Sequence, residues 1–124
     1  MRAGARPGAA DVSSMAEVRA AVDSIDAALV ALLAERMSFM DAAARIKPRR
    51  ELVRDEARKA EVLANVARHA AARGLDPAIV LKLWEQLVEA SIAHELTSWD
   101  RLHPAPGGAG RAGSASAGRA RQGP

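Results

Sequence analysis

The stretch VRAAVDSIDAALVALLAERMSFMDAAARIK, residues 18–47, decides the fold. Val18, Val22, Ile25, Leu29 and Leu32 recur at alternating steps of four and three, and Phe39, Ala43 and Ile46 continue the series. That period marks one face of a long amphipathic helix. Arg36 breaks it, standing on the seam where a hydrophobe is expected. A guanidinium turned towards a packed interior is costly unless an anion pairs with it. Lys47 lies eleven residues further on, three helical turns later, and projects from nearly the same side. Met40 and Ala43 form an apolar floor between the two cations. Such a stripe suits an anion pocket; the plainer alternative is a coiled-coil seam whose arginine snorkels to solvent.

Outward from this stretch, Ser14 followed by Glu17 is a capping box that starts the helix. Neither Gly nor Pro interrupts the chain before Pro48, which predicts about 33 residues of helix, roughly 50 Å. A helix of that length cannot bury itself in so small a monomer, and is expected to pack along a second copy of the chain. Residues 48–54 read as a charged loop. A second helix is predicted from about Asp55 to Arg73, with Gly74 as its stop. Asp76 then caps a third, with Pro77 in its first turn, running to about Leu102 before Pro104. The expected fold is all-α: three helices, long, medium and long, with no strand signal and no internal repeat.

The body is 13–103. Residues 1–12 and 104–124 are rich in Ala, Gly, Arg and Pro, the latter stretch also in Ser, and are expected to be disordered tails. The chain's formal charge of +3 arises from them. Of 18 basic and 15 acidic residues, five arginines (Arg2, Arg6, Arg111, Arg119 and Arg121) and Asp11 lie in the tails. The body keeps 13 basic and 14 acidic residues, a charge of about −1. No basic face for nucleic acid follows, and three aromatic residues, Phe39, Trp84 and Trp99, make no stacking platform for bases. Cysteine is absent, which excludes disulfides and thiolate metal sites. His69, His94 and His103 lack metal-ligand spacing with suitable partners. No run approaches the ~20 apolar residues of a membrane span, and no secretory signal is read, so a cytoplasmic protein is expected.

Two more groups could carry chemistry. Asp55, Arg58 and Lys59, followed by Val62, share one face of the second helix. They form either a solvated ion-pair cluster or a further cation (Arg58) and a hydroxyl acceptor (Asp55) for a polyanionic ligand. On the third helix Trp84, Val88, Ser91 and Glu95 follow the spacing i, i+4, i+7, i+11. Ser91 is then a ligand donor or a core serine bonded back to its own helix, and Glu95 is either inward-facing or exposed. Arg19, 17 residues before Arg36, points about 100° away from it on a straight helix; it is a surface residue or serves a partner subunit.

Taken together, residues 18–99 resemble the all-helical AroQ class of chorismate mutases and its relatives, the isochorismate pyruvate lyases. The resemblance rests on an ordered set: Val-Arg-Ala-Ala-Val-Asp-Ser-Ile-Asp (18–26), Leu-Leu-Ala-Glu-Arg (32–36), Lys47, Val-Arg-Asp-Glu-Ala-Arg (53–58) and Gly-Leu-Asp (74–76). It implies an intertwined helical homodimer with two shared active sites. In each, Arg36, Lys47 and Arg58 come from one subunit and Arg19 from the other. Arg36 and Arg19 would bind substrate carboxylates, and Lys47 a carboxylate and the ether oxygen. Asp55 would meet the ring hydroxyl region, Ser91 would bind a carboxylate, and Glu95 would sit at the ether oxygen. Lys47, Arg36 and Glu95 would be catalytic, with no metal or cofactor and a small-molecule substrate, chorismate or isochorismate.

The expected activity is chorismate mutase, serving aromatic amino acid biosynthesis. The alternatives are isochorismate pyruvate lyase, releasing salicylate and pyruvate, and more distantly a 4-amino-4-deoxychorismate mutase. A non-enzymatic helical dimerisation module is the rival of another class, and it leaves Arg36 and Lys47 without a purpose. Two residues depart from the mutase pattern: Lys59 stands where a glutamate is common, and Glu95 where bacterial members often have glutamine. The segment 36–47 looks more like the lyase branch.

Overall fold

The long helix begins where the capping box put it. In the structure, a computed structural model that describes residues 6–105, the Glu17 N–H donates to Ser14 Oγ at 3.1 Å. Glu17 Oε1 in return accepts from the N–H groups of Ser14 at 3.1 Å and Ser13 at 2.8 Å. These bonds satisfy amides that a helix start leaves without partners. The Ser13 backbone bond is the largest cause holding the Glu17 carboxyl below its ordinary value. Helix α1 spans Met15–Ile46. It closes with the Lys47 N–H on the Ala43 carbonyl, 2.9 Å, and Pro48 follows, without an N–H to extend the ladder. Helices α2 (Glu56–Ala72) and α3 (Pro77–Leu102) complete an all-helical fold with no strand among the described residues. Short 3-10 turns occupy Ala9–Asp11 and Arg50–Leu52. The outer parts of both expected tails, residues 1–5 and 106–124, lie outside the described residues.

The chain divides into two compact units, meeting between Phe39 and Met40. The first holds most of α1. Along α1 the seam positions Val22, Ile25, Leu29, Leu32, Phe39 and Ile46 are 40–69% exposed in the single chain. An apolar stripe of this length, interrupted only at Arg36, calls for a covering surface.

The second unit contains the end of α1, the turn at Arg50–Leu52, α2 and α3. Helix α2 packs along α3, and the turn between them follows from four residues. Gly74 has φ +72, a left-handed conformation that costs glycine nothing. The Leu75 N–H reaches back to the Ala70 carbonyl and the Gly74 N–H to that of Ala71, the two bonds of a Schellman stop. Asp76 Oδ1 then accepts from the Ala78 N–H at 2.9 Å, and Pro77 opens α3. The core of this unit is Val53, Val88 and Ile92, with Val62, Trp84, Leu96 and Trp99 packed against it. Residues 48–54, expected as a charged loop, thus contribute a core residue: Val53 is 3% exposed. A lone buried valine among arginines has no periodicity to betray it. No helix among the described residues is long and apolar enough to cross a membrane.

Candidate active site

Lys47 is the first residue past α1, so its backbone direction is set by the helix end and by Pro48. Its Nζ donates to Glu95 Oε2 at 2.7 Å and reaches the Val53 carbonyl at 3.5 Å. Glu95 lies inside α3, and its side chain is 5% exposed against 29% for Lys47. A carboxylate so deeply buried needs a compensating cation, and Lys47 supplies it. The Lys47 carbonyl is also held, by the Trp99 indole N–H at 3.0 Å.

Ser91 precedes Glu95 by one turn and is buried beside it on α3; its Oγ donates to the Leu87 carbonyl at 2.7 Å. Of the two readings of Ser91, the back-bonded one is realised in the single chain. Asp55 is the N-cap of α2, its Oδ1 accepting from the Arg58 N–H at 3.0 Å. Its fixed role is therefore structural, and the carboxylate is exposed at the helix start. The Arg58 guanidinium is exposed and bonds Glu61 at 2.6 Å. In the first unit Arg19 is exposed and Arg36 half-buried, both on α1. The structure thus brings Lys47 and Glu95 into direct contact, sets Ser91 one turn from Glu95, and joins Asp55 to Arg58 through the backbone.

Lys59 is drawn into an ion-pair network instead of standing alone. Its Nζ lies 2.8 Å from both Glu85 and Glu89 on α3, and Arg54 reaches Glu89 at 2.6 Å and Glu56 at 2.9 Å. Arg54, then Lys59, pulls the Glu89 carboxyl down to about 2. Glu85, then Glu89, raises the Lys59 ammonium above its ordinary value. A second cluster has no precursor in the sequence reading. Asp41 Oδ1 accepts from Ser98 Oγ at 2.6 Å and from His94 Nε2–H at 2.7 Å, and the Ser98 bond is the main cause of its lowered carboxyl pKa. His94 and Ser98 are one turn apart, a weak hint, but their partner comes from α1 and is invisible to spacing. Among the described residues no group of three or more His, Asp or Glu side chains is arranged to hold a metal ion.

Residues 18–96 match the family model described as chorismate mutase type II. The chain belongs to that family. A curated relative from Pseudomonas aeruginosa, named isochorismate pyruvate lyase, is 34% identical over 89 residues, which is 72% of this chain and 88% of the relative. As a chorismate mutase type II protein the chain is an enzyme of the all-helical AroQ class, built to bind a small molecule. The matched range takes in Arg19, Arg36, Lys47, Asp55, Arg58, Ser91 and Glu95 and stops three residues short of Trp99.

Proposed function

We propose that the protein rearranges chorismate to prephenate, as a homodimer with two shared sites. The observation that carries this reading is the Lys47–Glu95 pair, a cation and a carboxyl held 2.7 Å apart on α1's end and α3. The reaction breaks a C–O bond as a C–C bond forms, without a protein nucleophile. Its ether oxygen gains negative charge, so catalysis requires a folded substrate and donors placed at that oxygen. Lys47 Nζ is one such donor, and Glu95 is a second when protonated. Arg36 and the partner's Arg19 take the two carboxylates, with Ser91 donating to one of them. Arg58 adds positive charge and Asp55 faces the ring hydroxyl. The exposed seam of α1 supports the dimer, since a second copy would cover Leu29, Leu32 and Phe39. No step calls on a metal or cofactor.

A second reading is isochorismate pyruvate lyase, favoured by the 34% identical relative of that name. Lys59, engaged with Glu85 and Glu89, offers no acceptor for a ring hydroxyl where mutases commonly have a glutamate. The deciding experiment incubates pure protein with each substrate and identifies the products. Prephenate from chorismate supports the first reading; salicylate plus pyruvate from isochorismate supports the second. Turnover of neither ends both readings.

A further inference from the structure

Lys47 is gripped at both ends by one face of α3. Glu95 holds the ammonium, and Trp99, one turn later, holds the backbone carbonyl through its indole N–H at 3.0 Å. That carbonyl needs an outside donor. The last four carbonyls of a helix have no partner within it, and Lys47 sits at this end of α1. The indole N–H is a donor with no acceptor function and seeks a partner when its ring is buried. Each group therefore answers the other's need.

The indole is itself fixed. Its ring packs against the Val53, Val88 and Ile92 cluster. The imidazole of His103 stacks on it, ring centres 4.2 Å apart and planes 16° from parallel. His103 Nδ1–H donates to the Trp99 carbonyl at 3.0 Å, holding the imidazole over the indole. The donor that faces Lys47 has little room to swing.

We propose that Trp99 is a positioning residue for Lys47, capping the carbonyl at the end of α1 and so setting where Nζ stands. This rests on the functional reading above, in which Lys47 Nζ acts at the ether oxygen. Substrate competes for the Nζ–Glu95 contact but leaves the carbonyl untouched. The Trp99 bond is thus the restraint that persists while Lys47 changes partners. A donor held in place before the reaction need not be reoriented as the reaction proceeds.

Trp99→Phe keeps a ring for the core and for His103 but removes the N–H. Its kcat is expected to fall about tenfold, the loss from one well-placed hydrogen bond, with KM little changed. In a Lys47→Ala background the same substitution is expected to cost nothing further, because the residue it acts through is gone. An equal fold-loss in both backgrounds, or an unchanged kcat in Trp99→Phe alone, overturns the proposal. A second measurement needs neither turnover nor a folded variant. In the intact protein, labelled with 15N-tryptophan, the indole N–H of Trp99, told from that of Trp84 by its proximity to the stacked His103 ring, is expected to exchange slowly with solvent. Exchange at the rate of free tryptophan overturns the anchor. Absence of turnover with both substrates instead ends the functional reading, and indole exchange still decides the anchor.

Discussion

Lys47 donates to Glu95 across 2.7 Å, and the two ends of that bond live in different surroundings: the lysine side chain is 29% exposed, the glutamate 5%. Glu95 therefore depends on Lys47 more than Lys47 depends on Glu95. Removing the lysine strands a buried carboxylate, whereas removing the carboxylate leaves a cation that water can reach.

Lys47→Ala is expected to lose about 3 kcal/mol of transition-state stabilisation, by comparison with deleting an oxyanion donor, and to melt at a lower temperature. Steady-state kinetics would show the loss in kcat. Adding Glu95→Leu to Lys47→Ala should restore melting temperature without restoring turnover, since the stranded charge is then gone but the donor is still missing. A near-normal kcat in Lys47→Ala would remove Lys47 from the ether oxygen.

Glu95→Gln keeps the shape of the side chain and an oxygen to accept from Lys47. Its amide donates at any pH, whereas a carboxyl donates only when protonated. The variant is expected to fold normally and to match or exceed the parent's kcat at pH 7. A steep loss of kcat in Glu95→Gln would mean that donation from this position does not serve the reacting oxygen.

Shared sites give a complementation test. Arg19→Ala and Arg36→Ala are each expected to be inactive. Mixed under subunit exchange, they should regain activity, because one site of each hybrid dimer has both arginines intact. Full activity from a species that sediments as a monomer would end the shared-site arrangement.

Local chemistry made the helices legible. Ser14, Glu17, Gly74, Asp76 and Pro77 act over three or four residues, and each does in the structure what its type and spacing required. The stripe Trp84, Val88, Ser91 and Glu95 put both polar residues on the side of the two apolar ones and left Glu95 either inward or exposed; both are buried. Asp55, at the start of the second helix and left open between an ion-pair cluster and a hydroxyl acceptor, also caps α2. What escaped depended on neighbours distant in sequence. Val53 had no pattern to mark it. The partners of Trp99 and Asp41 lie more than fifty residues away, and no periodicity spans that interval.

The Arg54–Glu89–Lys59 network predicts an acid limit to stability. Glu89 is held at about 2, below the ordinary 4.5, by Arg54 first and Lys59 second. A carboxyl with a depressed folded-state value stabilises the fold fully above its unfolded value. That contribution is lost as pH falls through the window from about 4.5 towards about 2. Melting curves of parent and Glu89→Gln should therefore differ at pH 6 and converge near pH 2. A constant difference across that range would show that Glu89's charge contributes nothing.

The Schellman stop at Gly74 and the cap at Asp76 also bear on the order of assembly. They join α2 to α3 through a connection of four residues, so the contacts between these helices span shorter stretches of chain than those of α1's end with α3 and close at smaller entropic cost. The α2–α3 hairpin is the natural folding nucleus, and α1, synthesised first, is the natural latecomer. In a φ-value series, Ala70→Gly and Val80→Ala should slow refolding, whereas Ala44→Gly, at the buried end of α1, should chiefly speed unfolding.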